Sequence, residues 1–108
     1  MDWTPITSLE QIDTIKERSK IIPQLIFKHS TRCSISSMVK NRLEKSNPPE
    51  NVEFYCLDLI SYRTVSSKIA EIFNIYHESP QVLLIKNSEC MYEESHNAIR
   101  MEFIAENV

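Results

Sequence analysis

Cys33, Cys56 and Cys90 are the only thiols in the 108-residue chain, and Cys33 stands apart by its surroundings. It follows an extended apolar run, Leu25-Ile26-Phe27-Lys28, and opens a helical stretch, Ser34-Ile35-Ser36-Ser37-Met38-Val39-Lys40. A cysteine at a strand-to-helix junction meets the unpaired N–H groups and positive dipole end of the helix, which favour its thiolate. Lys28 and Arg32 add formal positive charge close by, with His29 as a third contributor. Three positions on, where a dithiol pair would have its second cysteine, stands Ser36. The segment reads Cys-x-x-Ser, an activated thiol without a local partner.

That pattern suits thiol–disulfide exchange. A thiolate attacks a disulfide sulfur and is captured in a mixed disulfide. With serine at 36, a second thiol from solution must attack the adduct, and Cys33 then departs. A lowered thiol pKa raises the thiolate fraction but cuts nucleophilicity by nearly the same factor at a Brønsted slope of ~0.45, so it chiefly speeds departure. Cys56 alternates with Val52 and Phe54 and reads as a packing residue, whereas Cys90 is a candidate resolving thiol.

The elements that position Cys33 follow from periodicity. Ser8, or Thr7 with Glu10, caps a first helix carrying Leu9, Ile12 and Ile15 and ending near Lys20, before Pro23. A strand covers Gln24 to His29, and a helix runs from Cys33 to about Lys45, stopped by Asn47-Pro48-Pro49. Asn51 to Asp58 is a second strand, and Ser61 caps a third helix through Val65, Ile69, Ile72 and Phe73. After Pro80, Gln81 to Ile85 forms a nearly continuous apolar strand, and Glu89 to Glu94 pairs back across Asn87-Ser88. A last helix starts at Ser95 or Asn97. The order is α-β-α-β-α-β-β-α around a mixed four-stranded sheet, with a short extra strand at Trp3 to Ile6 as an option.

Bulk properties narrow the classes. The length suits one domain, 1–108, and 42% hydrophobic with 25% charged residues is an ordinary globular balance. A net charge of −3, mixed along the chain, argues against nucleic acid or a membrane surface as partner. No signal peptide and no membrane-spanning stretch are expected, and three irregularly spaced cysteines fit reduced thiols in a cytoplasm. Glycine is absent, which excludes a phosphate-binding P-loop and a dinucleotide-binding turn. Turns with positive φ then fall to asparagine, and Asn47, Asn74 and Asn87 stand where such turns are needed. No Cys/His pair has zinc-type spacing, so no metal ligand set is expected; a bridging iron–sulfur cluster stays open, though without the Cys-Gly-Phe-Ser motif of monothiol glutaredoxins, and Val39 excludes a Cys-x5-Arg phosphatase loop.

A cysteine after the first core strand and a proline before the third is the layout of the thioredoxin-like fold, in which the bond before that proline is cis. Phe27-Lys28-His29-Ser30-Thr31-Arg32-Cys33-Ser34-Ile35-Ser36-Ser37, with His77-Glu78-Ser79-Pro80-Gln81-Val82-Leu83, resembles the single-cysteine (YtxJ-type) bacilliredoxins, general-stress proteins of the bacillithiol system. The resemblance spans Trp3 to the last helix. It implies an α/β thioredoxin-like fold, with no permanent cofactor and with bacillithiol, a cysteine-containing sugar-malate thiol, as co-substrate. Client proteins carrying S-thiolated cysteines are the implied partners of a monomeric enzyme.

Cys33 is then the catalytic residue, with Arg32, Ser34, Ser36, Ser79 and Pro80 in substrate contact. Ser34 departs from the proline that related sequences often carry, and Glu93-Glu94-Ser95 replaces the glycine pair of glutaredoxins. His29 reads as structural, and His77 as a loop histidine or a proton relay. Two other classes stay open. One is a redox relay joining Cys33 to Cys90 or to a partner protein, and the other is a non-catalytic binding module.

Overall fold

The computed structural model describes residues 1–108. Five strands form one sheet in the order β1-β3-β2-β4-β5: β1 Thr4–Pro5, β2 Gln24–His29, β3 Glu53–Asp58, β4 Gln81–Lys86 and β5 Glu89–Ser95. β1 and β2 run parallel to β3, while β4 is antiparallel to both β2 and β5. The four-stranded sheet expected from the sequence is thus corrected to five. β1 pairs only through Thr4 with Tyr55 and Pro5 with Cys56, and two residues are too few to show an alternation.

Helices α1 (Glu10–Arg18) and α3 (Arg63–Ile72) cover one face, and α2 (Ser34–Glu44) and α4 (Met101–Asn107) the other. Sheet positions alternate between the two cores. Ile26, Leu83 and Ile85 pack with Ile12, Ile15, Val65 and Ile69, whereas Leu25, Phe27, Val82 and Leu84 pack with Val39, Leu43, Met101 and Ile104. Every residue of β2 is buried, as befits a central strand covered on both sides. No helix is long and apolar enough to cross a membrane.

Several ends differ from the sequence pattern. Neither Ser8 nor Thr7 caps α1; the Gln11 side chain instead reaches back and accepts from the Thr7 and Ser8 N–H groups at 2.6 and 3.1 Å. Ser61 does not cap α3, because Asp58 ties down that turn by accepting from Ile60 N–H and the Ser61 hydroxyl. The last helix is split into a 3-10 turn, His96–Ala98, and α4. Arg42 pins the link between them, donating to the Asn97 and Ile99 carbonyls at 3.0 and 2.6 Å. Positive φ falls on Asn51, Asn74, Asn87, Ser88 and His96, but not on Asn47, so two of the three asparagine expectations are met.

Candidate active site

The sheet brings two loops to one end. β2 ends at His29 and leads through Ser30–Arg32 to Cys33, the N-cap of α2. Lys28 pairs with Gln81, the first residue of β4, so the preceding Ser79-Pro80 lies beside that exit. The Ser79-Pro80 bond is cis, as the layout implies. His96 N–H donates to the Pro80 carbonyl at 2.9 Å and fixes the loop from its other side.

Cys33 is half-buried, with extended backbone (φ −108°, ψ 120°) and its N–H donating to the Ser30 carbonyl at 3.2 Å. No side chain caps α2, and its first turn holds no acidic residue. The first-turn N–H groups beside Cys33 therefore have neither a side-chain acceptor nor an acidic neighbour. Arg32 and Ser34 flank it as exposed side chains, while Pro80 is buried. The Ser79 hydroxyl oxygen is buried without a partner.

Two expected neighbours of the thiol are engaged with other partners. Lys28 and His29 were read as positive charge beside Cys33, and strand alternation sends them to opposite faces, both buried. Lys28 turns toward α3, its ammonium donating to the Ser66 carbonyl at 3.1 Å and to His77 Nδ1 at 3.2 Å. Burial pushes its pKa down to about 8. His29 stacks on Phe27, and burial holds its pKa below the ordinary histidine range, aided by Lys40. Near neutral pH it is an uncharged ring.

Ser36 is also corrected. Assigned above to substrate contact, it is fully buried, because α2 turns it toward the sheet. Its hydroxyl oxygen lies 2.7 Å from His29 Nδ1 and accepts from the Ser30 N–H at 3.0 Å. The residue at the resolving position thus clamps the loop that carries Cys33.

The other thiols lie outside this site. Burial pushes both Cys56 and Cys90 up to about 11, so each is a neutral thiol near pH 7. Cys90 pairs with Ile85, whose partner on β2 is Gln24, at the strand end remote from His29. That is a separation of ~16 Å along β2 at ~3.3 Å per residue. A disulfide needs Cα atoms within ~7 Å, which excludes the internal Cys33–Cys90 relay in this fold.

A cluster missed by sequence reasoning lies across the sheet, where Arg63, Ser66, Ser67, His77 and Leu59 line a pocket of about 170 Å³ beside Lys28. Lys28 is legible in the sequence only as positive charge near Cys33, and Arg63 and Ser67 belong to no motif.

Comparison with known proteins agrees with this geometry. A solved structure described as having a thioredoxin fold superposes with a TM-score of 0.83 at 27% identity, covering 95% of this chain and 90% of that one. Thioredoxin from the fungus Malassezia sympodialis superposes at 0.73 with 21% identity over 97% and 87% of the two chains. Fasciola hepatica thioredoxin gives 0.77 with 14% identity over 96% and 98%. The family model for the monothiol bacilliredoxin BrxC matches residues 4–104, almost the whole chain. With the Cys-x-x-Ser segment at the head of α2 and a thioredoxin-like sheet beneath it, this chain belongs to the monothiol bacilliredoxin family.

Proposed function

We propose that the protein is a monothiol thiol–disulfide exchange enzyme that frees client cysteines from a low-molecular-weight thiol, of which bacillithiol is the family's example. One observation carries the reading: Cys33 stands at an uncapped helix N-terminus, with Ser36 locked inward where a second thiol would stand. The Cys33 thiolate attacks the small-thiol sulfur of a client mixed disulfide. The S–S bond breaks, the client leaves as its thiolate, and the small thiol is now joined to Cys33. A second small-thiol thiolate attacks that same carried sulfur, releasing the Cys33 thiolate and the symmetrical small-molecule disulfide. Sulfur oxidation states balance, and no metal or bound cofactor takes part.

In this reading the α2 N-terminus favours Cys33 as leaving group, which is the step a monothiol enzyme must make easy. Arg32 and Ser34 contact the small thiol, and the backbone at Ser79-Pro80 pairs with an extended client segment. The enzyme acts as a monomer in a reducing compartment such as the cytoplasm.

Intact-mass analysis after incubation with oxidised bacillithiol tests the proposal. The wild type should gain one bacillithiol, lost again on adding free bacillithiol, and Cys33→Ser should gain none. An adduct that survives in Cys33→Ser, or no adduct in the wild type, would overturn the assignment.

A further inference from the structure

Lys28 is a fully buried cation with no acidic partner, and Arg63, at the pocket rim, forms no ion pair either. Buried charges are ordinarily paired, because an uncompensated one loses its hydration with nothing to replace it. Lys28 makes two hydrogen bonds, to the Ser66 carbonyl and to His77 Nδ1, and both acceptors belong to residues that line the 170 Å³ pocket. An ammonium group has donors only, so His77 Nδ1 must accept and the ring's proton must sit on Nε2. Lys28 thereby fixes the tautomer of a histidine that presents an N–H donor. The exposed Arg63 guanidinium and Ser67 hydroxyl line the same space and supply further donors. Glu78, next to His77 in the chain, is drawn to His96 at 3.4 Å.

The pocket lies at the end of the sheet from which the chain leads to Cys33. Leu59, on its wall, donates its N–H to the His29 carbonyl, at the end of the strand that leads to Cys33. His77 stands two residues before Ser79-Pro80. We propose that Arg63, Ser67 and His77, backed by Lys28, form a carboxylate-binding subsite that holds the acidic end of the co-substrate thiol while its sulfur reacts at Cys33. This inference rests on the exchange reading above and adds to it the residues that hold the acidic end of the small thiol.

Two measurements separate the inference from that reading. The first compares matched disulfides, 3,3′-dithiodipropionate with a carboxylate on each half and the neutral 2-hydroxyethyl disulfide. Arg63→Met should raise KM for the dicarboxylate about tenfold, the size of one lost charge-assisted hydrogen bond. It should leave kcat, and both constants for the neutral disulfide, unchanged, and Arg63→Lys should recover part of the loss. Equal effects on both disulfides, or none on either, would overturn the subsite. The second needs no turnover: L-malate titrated into the resting protein should shift the His77 imidazole NMR signals saturably in the wild type but not in Arg63→Met. Absence of that shift in the wild type overturns the subsite as well. If the wild type turns over neither disulfide, the exchange reading falls, and the malate titration still decides whether the pocket takes carboxylates.

Discussion

Lys28 is the residue whose surroundings depart furthest from its type. Its folded form releases a proton near pH 8, whereas the unfolded chain does so near the ordinary 10.5. Between those values the unfolded state binds more protons, so this residue makes stability rise as pH climbs from 8 to 10.5. Below 8 both states carry the charge and the cost of burying it is constant. Urea denaturation of the wild type and Lys28→Met at several pH values should therefore show their stability difference moving in favour of the wild type across that window. A difference that stays flat would mean that the amine is solvated in the folded protein. This burial is not legible in the sequence, where a lysine late in an apolar run stands only as a positive charge near Cys33. Only the arrival of α3 and His77 over that position makes it an interior site. Cys33 was legible for the opposite reason: strand, helix start and missing second cysteine are all local features, visible within a dozen residues.

Among the elements, β2 and the β4–β5 hairpin were legible because each has a strong local signature. Gln24 to His29 was read to the residue, and Asn87-Ser88 turns as expected with both residues at positive φ, 52° and 67°. β1 falls within the optional strand at Trp3 to Ile6 but is only two residues long, held by the edge of β3, while the broken start of the last helix was not legible, since the His96–Ala98 turn depends on Arg42 reaching from α2. The hairpin also carries a cost, because a left-handed serine is disfavoured by ~1–2 kcal/mol. Ser88→Gly removes that penalty and forfeits the Ser88 hydroxyl bond to the Lys16 carbonyl at 3.2 Å. The Ser88 N–H bond to the Ser19 hydroxyl at 2.8 Å is kept. A net gain of ~0.5 kcal/mol is expected, seen as a Tm raised by about 2–4 °C in calorimetry. A lower Tm would show that the hydroxyl bond outweighs the backbone penalty.

At the scale of the whole molecule, the sheet holds Cys33 and Cys90 apart. Cys33 lies at one end beside the Ser79-Pro80 loop, and Cys90 is paired at the other, against the α1/α3 core. Mild peroxide treatment followed by non-reducing peptide mapping should yield adducts or intermolecular disulfides through Cys33 and no Cys33–Cys90 linkage. Cys90→Ser should exchange disulfides at the wild-type rate. An internal linkage, or a rate lost with Cys90, would require the sheet to open. The Ser36 hydroxyl, held between His29 and Ser30, has a consequence for the protein among its neighbours in solution. If Cys33 takes on a small thiol as proposed, nothing inside the fold can discharge it, so the time it stays loaded depends on how much free thiol surrounds it. Under the proposed mechanism, the balance of loaded and empty molecules is a running gauge of the surrounding thiol pool.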